Sequence, residues 1–433
     1  MEYKQKIIRE LNHYLQLLFP ICRSITGNGN RLSLKILQRI TPIEIKEIKS
    51  GTKVYDWVIP KEWNVKEAYI EDYQGNRIVD FDRNNLHLVS YSMKVNTIMT
   101  WEELKSHIFK SERNQEAIPY RTTYYERNWG FCVNAKQYQR LEKCSKPFKI
   151  VIDSSLKNGY MTYGECLIKG ESAREILISC YICHPSMAND SLSGVIISAF
   201  LVRYLRSINL KWSYRIVFVP ETIGSIAYCA INEAALKNID VGLVITTAGG
   251  PGKISFKKSW NENHYINNLV KSLLMDKTSF FKEYPFDCHG SDERQYSSPG
   301  LRINCISIFK NKYYEYDSYH SSLDNLEFVK ADNLYETYEI YKFLILKLEK
   351  QAIYKRVKDI GEIMLSKHNL YPKIGGDILP KKISNDFDLL LKVLFYIDGK
   401  LTIESIAEKI NVNKSKIKKI INVLEEKNII KNV

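Results

Sequence analysis

At 433 residues with 45% apolar side chains, the chain is long enough for two or three domains and holds ample material for a core. Its net charge of +14 comes from lysines spread along the whole length, which favours solubility over a nucleic-acid interface, since the latter needs a local patch. No run of about 18 apolar residues occurs, so no membrane-spanning helix is expected, and the nine scattered cysteines, with no export signal ahead of them, read as reduced thiols of a cytoplasmic protein.

Apolar residues at helical spacing, Ile7, Ile8, Leu11, Tyr14, Leu15 and Leu18, predict a helix over about 2–18 that Phe19-Pro20 ends. The polar loop from Arg23 to Asn30 carries two glycines. It is not a phosphate-binding fingerprint, because no strand precedes it and the third glycine is missing. Leu32 to Ile40 reads as a second helix. From Gly51 the texture changes. Val54 to Pro60 and Glu67 to Asp72 alternate with period two, Gln74-Gly75-Asn76 signals a turn, and Thr100-Trp101-Glu102-Glu103 has capping-box spacing. Residues 51–145 therefore read as a β-rich module inserted into a larger domain.

Phe148 to Asp153 opens a new strand series. Glu175 to Cys183, Tyr214 to Val219, Val241 to Thr247 and Ile303 to Phe309 are short apolar runs, the first two halted by Pro185 and Pro220. Helical stretches from Ser193 and from Ile226 separate them. Alternating strands and helices at this spacing predict an α/β domain with a mostly parallel or mixed sheet covered by helices. Leu334 to Lys350 is a long amphipathic helix that closes the domain. Tyr371 to Gly376 is linker-like. Asp386 to Tyr396, a turn at Asp398-Gly399-Lys400, Ile403 to Ile410, Lys414 to Glu426 and a tail at Asn428 to Lys431 then form a winged-helix pattern.

Four chemically capable groups fall on strand ends or loops of the central domain: His184, Asp190, Glu221 and His320. Ligands bind at the carboxyl edge of open α/β sheets. Two imidazoles and a carboxylate with one open position match what a catalytic zinc needs, and a further carboxylate can move protons. By spacing alone the pattern is weak. The overlapping Cys180-Tyr181-Ile182-Cys183-His184 matches a haem-attachment motif, but its cysteines lie in a buried strand, and a CxxC zinc clip lacks a second ligand pair; both read better as buried thiols.

The motifs His184-Pro185-Ser186-x-Ala188-Asn189-Asp190-x-x-Ser193-Gly194, Pro220-Glu221-Thr222-Ile223-Gly224-Ser225, Gly290-Ser291-Asp292-Glu293-Arg294-Gln295 and Tyr319-His320-Ser321-Ser322-Leu323-Asp324 resemble a bacterial aminopeptidase-like family that ends in a winged helix. More distantly, that family is similar to the co-catalytic zinc aminopeptidases. The resemblance implies an aminopeptidase-like domain from 1–50 and 146–352, an inserted β-rich domain over 51–145 and a winged helix over 370–433. It implies His184, Asp190 and His320 as ligands of one zinc, with a second metal weak or absent, and Glu221 as general base. Asp292, Arg294, Tyr296 and Arg121 are implied as substrate contacts, with Tyr120 a neighbour of the last.

The chain departs from the distant relatives where Thr222 follows Glu221 and where Thr246-Thr247 follows the next strand; acidic ligands stand at both places in those relatives. The expected activity is metal-activated hydrolysis of a peptide or small amide. The alternative is a catalytically silent relative that acts on DNA, or as a regulator, through its winged helix. Lys414, Lys416, Lys418 and Lys419 lie on the candidate recognition helix, although a solvated face is the favoured reading. A homo-oligomer is open.

Overall fold

The computed structural model describes residues 2–371 and 386–432, so most of the expected linker from Tyr371 to Gly376 and the following stretch of the expected winged-helix segment lie outside the described residues. The chain divides into two compact units, Met1–Glu262 with Val270–Phe343, and Asn263–Leu269 with Leu344–Val433.

The first unit is built on an eight-stranded sheet. Its strands in chain order are β1 (Glu44–Lys49), β2 (Tyr160–Ile168), β3 (Glu175–Tyr181), β4 (Ser213–Val219), β5 (Val241–Val244), β6 (Ser255–Lys257), β7 (Lys282–Tyr284) and β8 (Asn304–Phe309). They lie in the order β1-β2-β4-β3-β5-β8-β6-β7. The four central strands, β4, β3, β5 and β8, are parallel, and antiparallel strands flank them on both sides. The sheet is therefore mixed, with a parallel core. Those four strands are buried almost throughout, which is why they read as unbroken apolar runs. The chain leaves β3 to form β4 on one side and later β5 on the other. The carboxyl end of β3 is thus a topological switch point, the place where open α/β sheets bind ligands.

The helix Gly194–Leu205 follows β3 and is almost entirely buried. Its first residue must be glycine, because a Cβ there would meet the Ile245 carbonyl oxygen at 2.0 Å. The predicted first helix is present as Glu2–Leu18, the second begins earlier than expected at Asn28–Leu37, and the long helix runs over Ala331–Glu349.

A second, four-stranded sheet comprises Arg77–Asp80, Glu62–Glu71, Phe148–Lys157 and Val95–Met99 in that order. Phe148–Lys157 thus pairs with strands of the β-rich segment, and the chain passes from it directly into β2. The period-two reading of Val54 to Pro60 is corrected to a tight hairpin, Lys53–Val54 with Trp57–Val58, because Tyr55 adopts a left-handed φ of 53° and turns the chain. Pro119 to Tyr125 holds only isolated bridges, one joining Pro119 to Ser321.

The second unit holds the helices Asp386–Tyr396, Ile403–Ile410 and Lys414–Glu426 and a three-stranded antiparallel sheet ordered Asp398–Thr402, Ile353–Arg356, Ile430–Asn432. The turn expected at Asp398-Gly399-Lys400 is the start of a strand, with Gly399 at φ 79°. The central strand Ile353–Arg356 carries only Ile353 as a clear apolar signal and escaped pattern reading. Thr402 caps the second helix by accepting the Ser405 N–H at 3.1 Å, and Asn413 caps the third by accepting that of Ser415 at 2.9 Å. Ile406, Ile410, Ile417, Ile421 and Leu424 close the core between these two helices. No helix among the described residues is long and apolar enough to cross a membrane, and all nine cysteines are free thiols.

Candidate metal centre

Strand β3 ends at Tyr181 and Pro185 cannot continue the ladder, so His184 emerges at the switch point. Ser186 turns the chain in the left-handed region at φ 42°, and a wide turn over Ala188–Ser193 follows, in which Asp190 leaves helical geometry at φ −106°, ψ 91°. Asp324 shapes this turn. Its carboxylate accepts the backbone N–H of Asn189 at 2.6 Å, that of Asp190 at 2.9 Å and the Tyr316 hydroxyl at 3.3 Å. The Asn189 side chain accepts the N–H groups of Gly249 and Gly250 at 2.8 and 3.0 Å, which fastens the turn to the exit of β5.

His184, Asp190 and His320 meet here, each offering one ligand atom within 4.8 Å of the other two. His320 Nε2 is 3.0 Å from Asp190 Oδ2, and the two imidazole centres are 5.5 Å apart. The Tyr120 ring packs against both imidazoles at 5.3 and 5.2 Å, and its N–H donates to the His320 carbonyl at 2.8 Å. Tyr319 stacks on His320 at 4.0 Å. The β-rich segment therefore supplies one wall of the cleft through Tyr120.

His184 is held from behind. Its carbonyl accepts Arg23 Nε at 3.0 Å, and its Nδ1 is 3.4 Å from Cys183 Sγ, which also accepts the Glu221 N–H at 3.2 Å. Burial keeps the His184 imidazole neutral, with its pKa lowered to about 4. Burial works against the Asp190 carboxylate, but His184, His320 and the Tyr181 hydroxyl outweigh it and hold the pKa down to about 2. A neutral imidazole and an ionised carboxylate are the forms a metal requires, and this N,N,O donor set suits zinc. Asp190 is 1% exposed against 32% for His320, so the cluster opens on the His320 side.

Glu221 follows β4, with Oε2 3.7 Å from His184 Nε2. Burial, then the nearby Asp292 and Asp190 carboxylates, push its pKa well above the usual carboxyl range. Thr222 sits at φ 63° and donates its N–H to Asp292 Oδ1 at 2.8 Å, where Ser225 Oγ also donates at 2.7 Å. The second Asp292 oxygen is buried without a partner, and burial raises the group to about 6. Arg294 Nη2 donates to Thr222 Oγ1 at 3.3 Å.

Asp292 and Arg294 therefore stand beside the Glu221 loop. Tyr296 is fully buried with its hydroxyl 3.0 Å from Ser179 Oγ, and Arg121 is exposed with Nη1 on the Tyr120 carbonyl. Neither makes a described contact with the histidines. Sequence reasoning overlooked Tyr181 and Asp324 as parts of the site. The Tyr181 hydroxyl donates to Asp190 Oδ1 and lies 2.6 Å from Thr246 Oγ1. Asp324 stands in the motif that carries His320, and strand alternation puts Tyr181 on the same face as the polar Ser179.

Comparison with known proteins gives the chain's family and its fold. The family described as a domain of unknown function (DUF4910) matches residues 12–351, and a winged helix-turn-helix family matches residues 352–432. A Clostridium acetobutylicum protein, provisionally described as a polysaccharide biosynthesis protein with an aminopeptidase-like domain, is 41% identical over 413 residues, spanning 94% of this chain and 93% of its own. The crystal structure of a provisionally assigned peptidase from C. acetobutylicum aligns at TM-score 0.80 and 39% identity over 100% of this chain and 99% of the other. BSAP, a zinc aminopeptidase from Bacillus subtilis, shares the fold at TM-score 0.57 and 10% identity, over 80% of this chain and 95% of its own.

Proposed function

The chain belongs to the DUF4910 family, followed by a winged helix, and from that premise we propose that it is a zinc-dependent, aminopeptidase-like hydrolase of amide bonds. One observation carries the reading: two imidazoles and a carboxylate converge at the switch point of an aminopeptidase-like sheet, with the Glu221 carboxyl 3.7 Å from His184.

His184, Asp190 and His320 would hold the ion. Bound zinc supplies Lewis acidity and lowers the pKa of a coordinated water to about 7. Glu221 takes the proton from the attacking water and returns it to the leaving amine. Burial and the neighbouring carboxylates raise the Glu221 carboxyl above its ordinary range, the direction that favours a proton carrier. Asp292 fixes the Thr222 turn that aims Glu221, and Arg294 stands alongside on the Thr222 hydroxyl. Tyr120 and Tyr319 wall the histidines.

Peptides or small amides with a free amino end are the proposed substrates. The C. acetobutylicum relative is described by polysaccharide biosynthesis, and an amide carried on an amino sugar is a second proposed substrate class. The test is metal analysis of protein purified without added metal, followed by chelator-sensitive hydrolysis of aminoacyl anilides and amino-sugar amides. Near-stoichiometric zinc with turnover is expected; absence of both overturns the reading.

A second reading rests on Lys414, Lys416, Lys418 and Lys419, all exposed on one helix of the winged-helix unit. DNA binding that weakens steeply with salt, in a chain without metal or turnover, would favour it.

A further inference from the structure

We infer that the Tyr181 hydroxyl, backed by Thr246, confines Asp190 to a single metal ion by occupying one oxygen of its carboxylate. The inference rests on the metal-hydrolase reading above and adds what limits the number of ions.

Asp190 is 1% exposed, so no water competes for its oxygens and each has a protein partner. Oδ2 faces His320 Nε2 at 3.0 Å. Oδ1 accepts the Tyr181 O–H. A phenol has one proton to donate. With that proton committed to the carboxylate, the phenol oxygen accepts from Thr246 Oγ1, which lies 2.6 Å away. Tyr181 and Thr246 are themselves buried, at 2% and 0% exposure, on the adjacent strand β3 and just beyond β5. The result is a closed hydrogen-bond chain, Thr246 to Tyr181 to Asp190, anchored in β3 and at the exit of β5.

A carboxylate that bridges two cations through both of its oxygens gives one to each. Here one is already spoken for by a donor that cannot swing away without leaving buried groups unpaired. Nor does the Oδ1 side offer replacements. The only histidine, cysteine or carboxylate cluster of ligand geometry among the described residues is His184, Asp190 and His320. The groups shown at Oδ1 are the neutral hydroxyls of Tyr181 and, behind it, Thr246. Tyr181 is in this sense a positioning residue: it sets how Asp190 binds, without itself touching the ion.

The test loads the full-length protein with cobalt(II) and follows stoichiometry by calorimetry and coordination by visible absorption. Wild-type protein is expected to take up one equivalent, with the absorption saturating there. In Tyr181→Phe, Asp190 is free to bind through both oxygens, so the spectrum of the first equivalent should change while circular dichroism stays the same. Thr246→Val, which removes the group that orients the phenol, should shift the spectrum in the same direction and serves if Tyr181→Phe fails to fold. Two tight equivalents in the wild type, or identical spectra in wild type and both variants, would overturn the inference and leave the hydrolase reading standing. No cobalt uptake by the wild type would remove both.

Discussion

His320 Nε2 lies 3.0 Å from Asp190 Oδ2, which brings the last imidazole of the sheet's far loop onto the turn that leaves β3. Because His320 is the most accessible of the three candidate ligands, its removal perturbs packing least. His320→Ala should lower zinc affinity by at least about 100-fold, judged against the 10–100-fold typical of outer-shell losses. Metal content after dialysis against a weak chelator reads this directly. Unchanged zinc retention would exclude His320 as a ligand.

Glu221→Gln keeps shape and removes the exchangeable charge. If Glu221 is the general base, kcat should fall by roughly 10²–10⁴-fold. Bound metal should stay near the wild-type amount, since the variant leaves His184, Asp190 and His320 intact. Loss of metal along with activity would mean that Glu221 serves as a ligand instead.

Asp324 holds two consecutive N–H groups, of Asn189 and Asp190, on its two carboxylate oxygens. In Asp324→Asn one of those N–H groups faces an amide NH₂. The expected cost is about 1–3 kcal/mol of stability, the range for a buried group left unsatisfied. A lower melting temperature, with weaker metal binding as the Asp190 turn loosens, is the outcome to look for. A variant as stable as the parent would show that the turn needs no such clamp.

Glu62 and Arg31 form a paired contact at 2.6 and 2.8 Å, joining the helix Asn28–Leu37 to the strand Glu62–Glu71. The Arg31 hydrogen bonds, opposed by partial burial, lower the Glu62 pKa from 4.5 to about 2. A carboxylate with a depressed folded pKa contributes stability that is present above its unfolded value and lost as pH falls toward the folded one. The contribution should therefore be intact above 4.5 and fade between there and about 2. Denaturant unfolding of Glu62→Gln should show a smaller stability loss across that window than the parent. Parallel curves would mean that the ion pair adds nothing.

Much of this was legible in the residues. The four central strands announced themselves as apolar runs because both faces of the parallel core are covered. Pro185 and Pro220 marked where two of them stop, which placed His184 and Glu221 at the carboxyl edge. The helix Lys414–Glu426 was readable to its ends, since Asn413 caps it and its apolar positions keep helical spacing. Short strands such as Ser255–Lys257 and Ile353–Arg356 were not, because three or four residues carry too little periodicity to stand out.

Local pattern thus determined which segments become buried strands and helices, and which polar groups are stranded at their ends. That follows because backbone hydrogen bonding and side-chain alternation act over a few residues. The tertiary structure alone decided that Tyr120 of the β-rich segment walls the histidines, that Asp324 grips the Asp190 turn, and that Tyr181 rather than an acid meets the inner oxygen of Asp190. Those partners are chosen by strand order and register, which bring together residues that no local period connects.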